Sequence, residues 1–108
     1  MNVIEIIEIR ALHKIREILE DELRRILSEL QKESGETRLK VFRRINLDTD
    51  FVILIMHEAD RVLNSESQLS ILLSKGLKEY GMVNYSKWQE LTVPMSLLNS
   101  GGSKKKDL

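Results

Sequence analysis

Six consecutive residues, Phe51-Val-Ile-Leu-Ile-Met56, are apolar at every position. A strand sends alternate side chains to opposite faces, so a run of this kind needs burial on both. Phe51, Ile53 and Ile55 fall on one side, and Val52, Leu54 and Met56 on the other. The chain has 108 residues, enough for one core and not for two. One face can be covered from within such a domain. The other calls for something beyond it.

The neighbouring segments say what surrounds this run. Residues 3–10, Val-Ile-Glu-Ile-Ile-Glu-Ile-Arg, are rich in β-branched side chains and read as a strand, although Ile4, Ile7 and Ala11 also lie at helical spacing. From Leu12 the period changes. Leu12, Ile15, Leu19, Leu23, Ile26 and Leu30 step by three and four along one helical face, with Lys14, Glu17, Asp21, Arg24 and Arg25 opposite. Glu20 with Arg24 and Asp21 with Arg25 stand in the favourable acid-first order, and Ser34-Gly35 closes the helix. Residues 37–45 alternate as a half-exposed strand, and Asn46-Leu-Asp-Thr-Asp50 supplies the turn of a hairpin into the apolar run. Ser65 and Gln68 have capping-box spacing before Leu69, Leu72, Leu73, Leu77 and Tyr80, which repeat helically. Gly76 inside this helix implies close approach to the sheet, and Gly81 fits a C-terminal cap. Residues 83–92 form a last strand that Pro94 stops. Residues 95–108, with Ser100-Gly-Gly-Ser103 and Lys104-Lys-Lys106, read as a flexible tail after a domain spanning 1–94.

Strand, helix, hairpin, helix, strand is the order of an α+β fold, the ferredoxin-like β-α-β-β-α-β arrangement. Its four-stranded antiparallel sheet has the order 4-1-3-2, with the first and third strands central. Hydrophobicity agrees independently, since 3–9 and 51–56 are the most apolar runs and 37–45 and 83–92 carry the charges expected at edges. Two helices cover one face. On the other, Val52, Leu54 and Met56 make an apolar patch that a second copy covers most simply.

With this order, the Asp50-Phe-Val-Ile-Leu-Ile-Met third strand and the closing Glu79-Tyr-Gly-Met-Val-Asn-Tyr-Ser-Lys-Trp88, the chain resembles the dimeric α/β-barrel superfamily across about residues 1–93. The closing stretch is similar to small uncharacterised archaeal members. The resemblance implies two ferredoxin-like sheets packed face to face as a barrel. The superfamily holds cofactor-free monooxygenases, haem-degrading enzymes, small-ligand regulators and stress-induced proteins, so it implies fold and dimer more than reaction.

Composition narrows the function. Seventeen basic and seventeen acidic residues balance, which gives no global footprint for nucleic acid. Exposed sheet aromatics for RNA are few, with Phe42 and Phe51 alone on the two hairpin strands. Cysteine is absent, which excludes disulfides, a thiolate zinc site and a cysteine nucleophile. No apolar run spans a bilayer, and Met1-Asn-Val-Ile-Glu5 lacks the basic start of a signal peptide, so the expectation is a cytoplasmic protein with no membrane partner.

His57 is the candidate catalytic residue. It ends the third strand beside Glu58 and Asp60, and its unperturbed pKa, near 6.5, suits proton transfer at neutral pH. No spacing fixes a metal-ligand set around it, so neither a metal nor a cofactor is expected. A solvent-facing or hydrogen-bonded histidine is the plainer reading, and His13 reads as a surface residue. Asn84, Tyr85 and Trp88 are the candidate ligand-binding residues, on the expectation that the end of the third strand meets the start of the fourth. Trp88 at the dimer seam is the structural alternative. Glu5 and Glu8 point to opposite faces of a central strand; pairing with Arg43, Arg44 or enclosed water accounts for such carboxylates better than catalysis. Arg43 and Arg44 themselves read as solvated edge residues. The functional expectation is a homodimeric barrel that binds a small organic ligand, as a cofactor-free oxygenase or isomerase. The alternative is a structural or effector-sensing dimer whose barrel is filled with side chains.

Overall fold

The computed structural model describes residues 3–31, 37–57 and 67–91. Its elements are β1 (Val3–Ala11), a 3-10 turn (His13–Ile15), α1 (Arg16–Gln31), β2 (Thr37–Arg43), β3 (Asp50–His57), α2 (Gln68–Leu77) and β4 (Gly81–Gln89). The four strands form one antiparallel sheet in the order β2-β3-β1-β4. This is the expected 4-1-3-2 order read from the other edge.

Burial along β1 alternates strictly, with Val3, Glu5, Ile7, Ile9 and Ala11 inside. That period of two settles the segment as strand, since a helix would have buried positions three and four apart. Opposed residues in antiparallel strands share a face. Register therefore puts Phe51, Ile53 and Ile55 of β3 and Leu39 and Val41 of β2 on the same side as Ile7. Leu19 and Leu23 of α1 and Leu73 and Leu77 of α2 close over them to make the core. The opposite side presents Ile4, Ile6, Val52, Leu54 and Met56, all partly exposed. No described residue of the chain covers them.

Several local expectations shift. Leu12 is exposed and precedes the 3-10 turn, which also takes Ile15, so the apolar stripe of α1 starts at Leu19. Glu20 does accept from Arg24, at 3.0 Å, but Arg25 binds Glu22 and Glu29 rather than Asp21. The cap of α2 is Ser67, whose hydroxyl accepts the Ser70 N–H at 3.1 Å, and the helix starts at Gln68. Neither glycine has the role expected of it. A methyl group at Gly76 would meet nothing within 4 Å, so the sheet does not approach there. At Gly81 it would lie 2.0 Å from the Arg10 carbonyl oxygen, so Gly81 opens β4 against β1 and Lys78 ends the helix. Ser34, Gly35, Ser65, Pro94 and the whole tail lie outside the described residues.

Candidate functional site

Glu5 sits on the inward face of β1 between Val3 and Ile7, and all three are fully buried. A carboxylate in that position costs several kcal/mol unless it is hydrogen-bonded. The register supplies its partners. Val3 pairs with His57 on one side, and Ile7 pairs with Tyr85 on the other. Both rings therefore stand on the same face as Glu5, one pair along and diagonal to it, within reach of long side chains. His57 Nε2 lies 2.6 Å from Glu5 Oε1, and the Tyr85 hydroxyl donates to Oε2 at 2.7 Å. The third partner is the start of α2. Ser67 donates its backbone N–H to Oε2 at 3.0 Å, which places the negative charge at the positive end of the helix.

Burial alone would push the Glu5 carboxyl up. The hydrogen bonds from Ser67, Tyr85 and Ser70 outweigh it and hold the pKa at about 2, against an ordinary 4.5. An ionised carboxylate only accepts, so Nε2 of His57 carries the hydrogen of that contact. The other ring nitrogen, Nδ1, has no partner among the described residues, and it keeps a lone pair while the ring is neutral. The His57 side chain is 11% exposed. The arrangement is a carboxylate that fixes one tautomer of an imidazole, with a phenol on the same anion, and it can accept a proton at Nδ1.

Of the four residues expected at a site, the structure brings two together. His57 and Tyr85 meet through Glu5. Asn84 and Trp88 stand on the open face of the sheet, opposite Glu8 and Ile4 in register. Trp88 is 58% exposed and donates its indole N–H to Ser86 at 2.9 Å. The strand geometry behind the expectation needs correction. Both β3 and β4 run antiparallel to β1, so they are parallel to each other, and the end of β3 meets the end of β4. A recess of about 530 Å³ at that end is lined by His57 and Trp88 together with Ile4, Arg38 and Met56. Asn84 belongs to a different recess of about 750 Å³, with Glu8, Arg10 and Asp50.

Sequence reasoning missed the pairing of Glu5. Arg43 binds Glu20 at 2.7 Å and Arg44 reaches Asp50 at 3.4 Å, so neither serves it. The usable signal was parity, since odd positions of β1 face the helices and an antiparallel partner keeps that face. Among the described residues no group of three histidine or acidic side chains is arranged to hold a metal; Glu58 and Asp60 lie outside them. No helix in the described residues is long and apolar enough to cross a membrane.

Element order and register together define a ferredoxin-like α+β sheet. No family model matches the sequence, and no curated protein does. Solved structures do match. Rv0793 from Mycobacterium tuberculosis superposes with a TM-score of 0.65 at 13% identity, covering 86% of this chain and 98% of that one. A "putative antibiotic biosynthesis monooxygenase" from Nitrosomonas europaea gives 0.63 at 13% identity, over 83% of this chain and 90% of its own. PA3566 from Pseudomonas aeruginosa gives 0.63 at 19% identity, over 84% and 95%. The fold is therefore shared along nearly the whole of each relative. All three organisms are bacteria, so the archaeal part of the resemblance finds no support among them.

Proposed function

We propose that the chain works as a homodimer, sheet against sheet, and that each copy removes a proton from a small organic substrate through His57. The observation that carries this reading is the Glu5–His57–Tyr85 cluster. It is a fully buried carboxylate that holds an imidazole and a phenol, besides the Ser67 N–H, in a largely apolar core. The Nitrosomonas europaea relative supports oxygenation as the reaction class. In that chemistry His57 takes a proton from a carbon whose anion is stabilised by an adjoining aromatic or carbonyl system. The carbanion gives its electrons to dioxygen and forms a C–O bond. Protonation of the peroxide and loss of water leave a carbonyl, with one oxygen atom in the product and one in water.

A second reading keeps the same dimer and makes the cluster structural. It is favoured by how completely Glu5 is satisfied, because the carboxylate ties the start of α2 to β1 and β4. Oxygen uptake with anthrone, whose methylene carbon is acidified by its ketone and two aryl rings, separates the two. His57→Gln is the proper variant, because its amide can still donate to Glu5 where alanine would strand a buried charge. Under the enzymatic reading uptake falls at least 100-fold while the melting temperature stays within a few degrees. Uptake by the wild type that equals the buffer rate, or that survives His57→Gln, leaves the structural dimer standing.

A further inference from the structure

A cleft of about 1050 Å³ opens between α1 and the β2–β3 turn. It lies at the Arg10 end of the sheet, whereas His57 pairs with Val3 at the other end. Its floor is apolar. Leu23 and Phe51 come from the core, and Leu27 and Val41 lie beside them, half-buried. At the mouth, Asn46 adopts φ 69°, and the turn it makes leaves Ile45 84% exposed and Leu47 exposed beside it. Apolar side chains at the rim of an apolar-floored cleft leave a ligand's body a place to lie.

The remaining lining is charged, and the charges do not balance. Arg16, Arg24, Arg43 and Arg44 face two carboxylates, Glu20 and Asp48. Arg24 and Arg43 share Glu20, at 3.0 and 2.7 Å, and Arg16 binds Asp48 at 2.8 Å. Arg44 reaches only Asp50, which Arg10 already holds through both of its oxygens. Each guanidinium has five N–H donors in a planar fork, more than two carboxylates can accept. What the cleft lacks is a further pair of coplanar oxygens.

We propose that this cleft is a second binding site, separate from the Glu5–His57–Tyr85 cluster, for a small organic carboxylate with an apolar body. The carboxylate takes the free donors of Arg43 and Arg24, and the body lies over Leu27, Val41 and Phe51 between Ile45 and Leu47. Charge and floor are both required, so neither a neutral molecule of the same shape nor a bare anion is held well.

The test uses the full chain and three probes: 2-naphthoate, 2-naphthylmethanol and inorganic phosphate. Affinity is read by calorimetry and location by amide chemical shifts. Naphthoate is expected to shift the amides of Arg16 to Leu27 and Arg43 to Phe51, and to bind at least tenfold tighter than either other probe. Arg43→Gln is expected to weaken naphthoate about tenfold and leave naphthylmethanol unchanged. That variant keeps Glu20 paired with Arg24, and Arg24→Gln is the companion that keeps it paired with Arg43. Equal affinity for acid and alcohol would overturn the proposal, as would phosphate binding as tight as naphthoate. So would naphthoate shifts confined to Glu5, His57 and Tyr85, no naphthoate binding at millimolar concentration, or no effect of either arginine variant. Loss of oxygen uptake by His57→Gln leaves this result untouched, because the two sites lie at opposite ends of the sheet.

Discussion

Glu5 is where a single side chain governs most of the energetics. Its carboxylate accepts from a phenol, an imidazole and the first N–H of a helix, and it is itself fully buried. Glu5→Gln keeps the shape and removes the charge, turning one acceptor oxygen into a donor that faces donors. A loss on the order of 3 kcal/mol at pH 7 is expected, from the depressed pKa and from the cost of leaving buried groups unsatisfied. The pH dependence has a definite sign. The folded pKa of about 2 lies below the ordinary 4.5, so the unfolded chain binds the proton first as the pH falls. Stabilisation is complete above about pH 4.5 and is lost as the pH falls through about 2. Urea unfolding of both proteins at pH 7 and pH 2.5 checks this. The gap between them should narrow on acidification, and a constant gap would show that charge is not what Glu5 contributes.

At the scale of elements, the sequence carried the architecture through two periods, and each reached as far as the physics behind it. The helical spacing of α1 and the alternation of β2 are read directly, whereas β1 is read as strand from its β-branched residues, because Glu5 breaks the apolar alternation of its inward face and the period of two shows only in the burial. Strand order followed from the order of the elements, and the two most apolar runs agreed with it as the central strands. Positions set by tertiary contact were not legible. Glycine signals a need for space without naming the neighbour: the close approach expected at Gly76 occurs at Gly81, and the cap expected at Gly81 falls on Lys78. The diagonal that joins His57 to Glu5 depends on register, and the capping position of Ser67 on where α2 meets the carboxylate. The glycine correction is testable by a pair of alanines. Gly76→Ala, in an open helical position, is expected to stabilise by about 0.5–1 kcal/mol. Gly81→Ala drives a methyl into the Arg10 carbonyl, a contact with backbone that cannot rotate away, and is expected to cost at least about 2 kcal/mol. Thermal unfolding of the two variants should move in opposite directions. Equal shifts would mean that the β1–β4 approach at Gly81 is looser than 2.0 Å implies.

For the molecule as a whole, the unresolved demand is the one the apolar run raised first. The helices satisfy Phe51, Ile53 and Ile55, while Val52, Leu54 and Met56 stay partly exposed beside Ile4, Ile6 and an exposed Phe42. A face of that composition at the middle of a sheet is unfavourable in water, and the same apolar face of a second copy, brought up under a two-fold axis, would cover it. The expected product is a dimer burying more than about 1,000 Å² in total. Leu54→Asp isolates this term. Leu54 lies opposite Ile6 on β1 and Lys40 on β2, so an aspartate would have a cationic neighbour across the strand and no contact with the helix-side core. A single chain should accept it at little cost, whereas a dimer would bury two such charges at its centre. Sedimentation at micromolar concentration should show the wild type as a dimer and Leu54→Asp as a folded monomer with unchanged far-UV dichroism. A wild-type monomer at that concentration would leave the open face without its partner. A variant that unfolds as it dissociates would show that the sheet has no independent stability and that folding and pairing are one event.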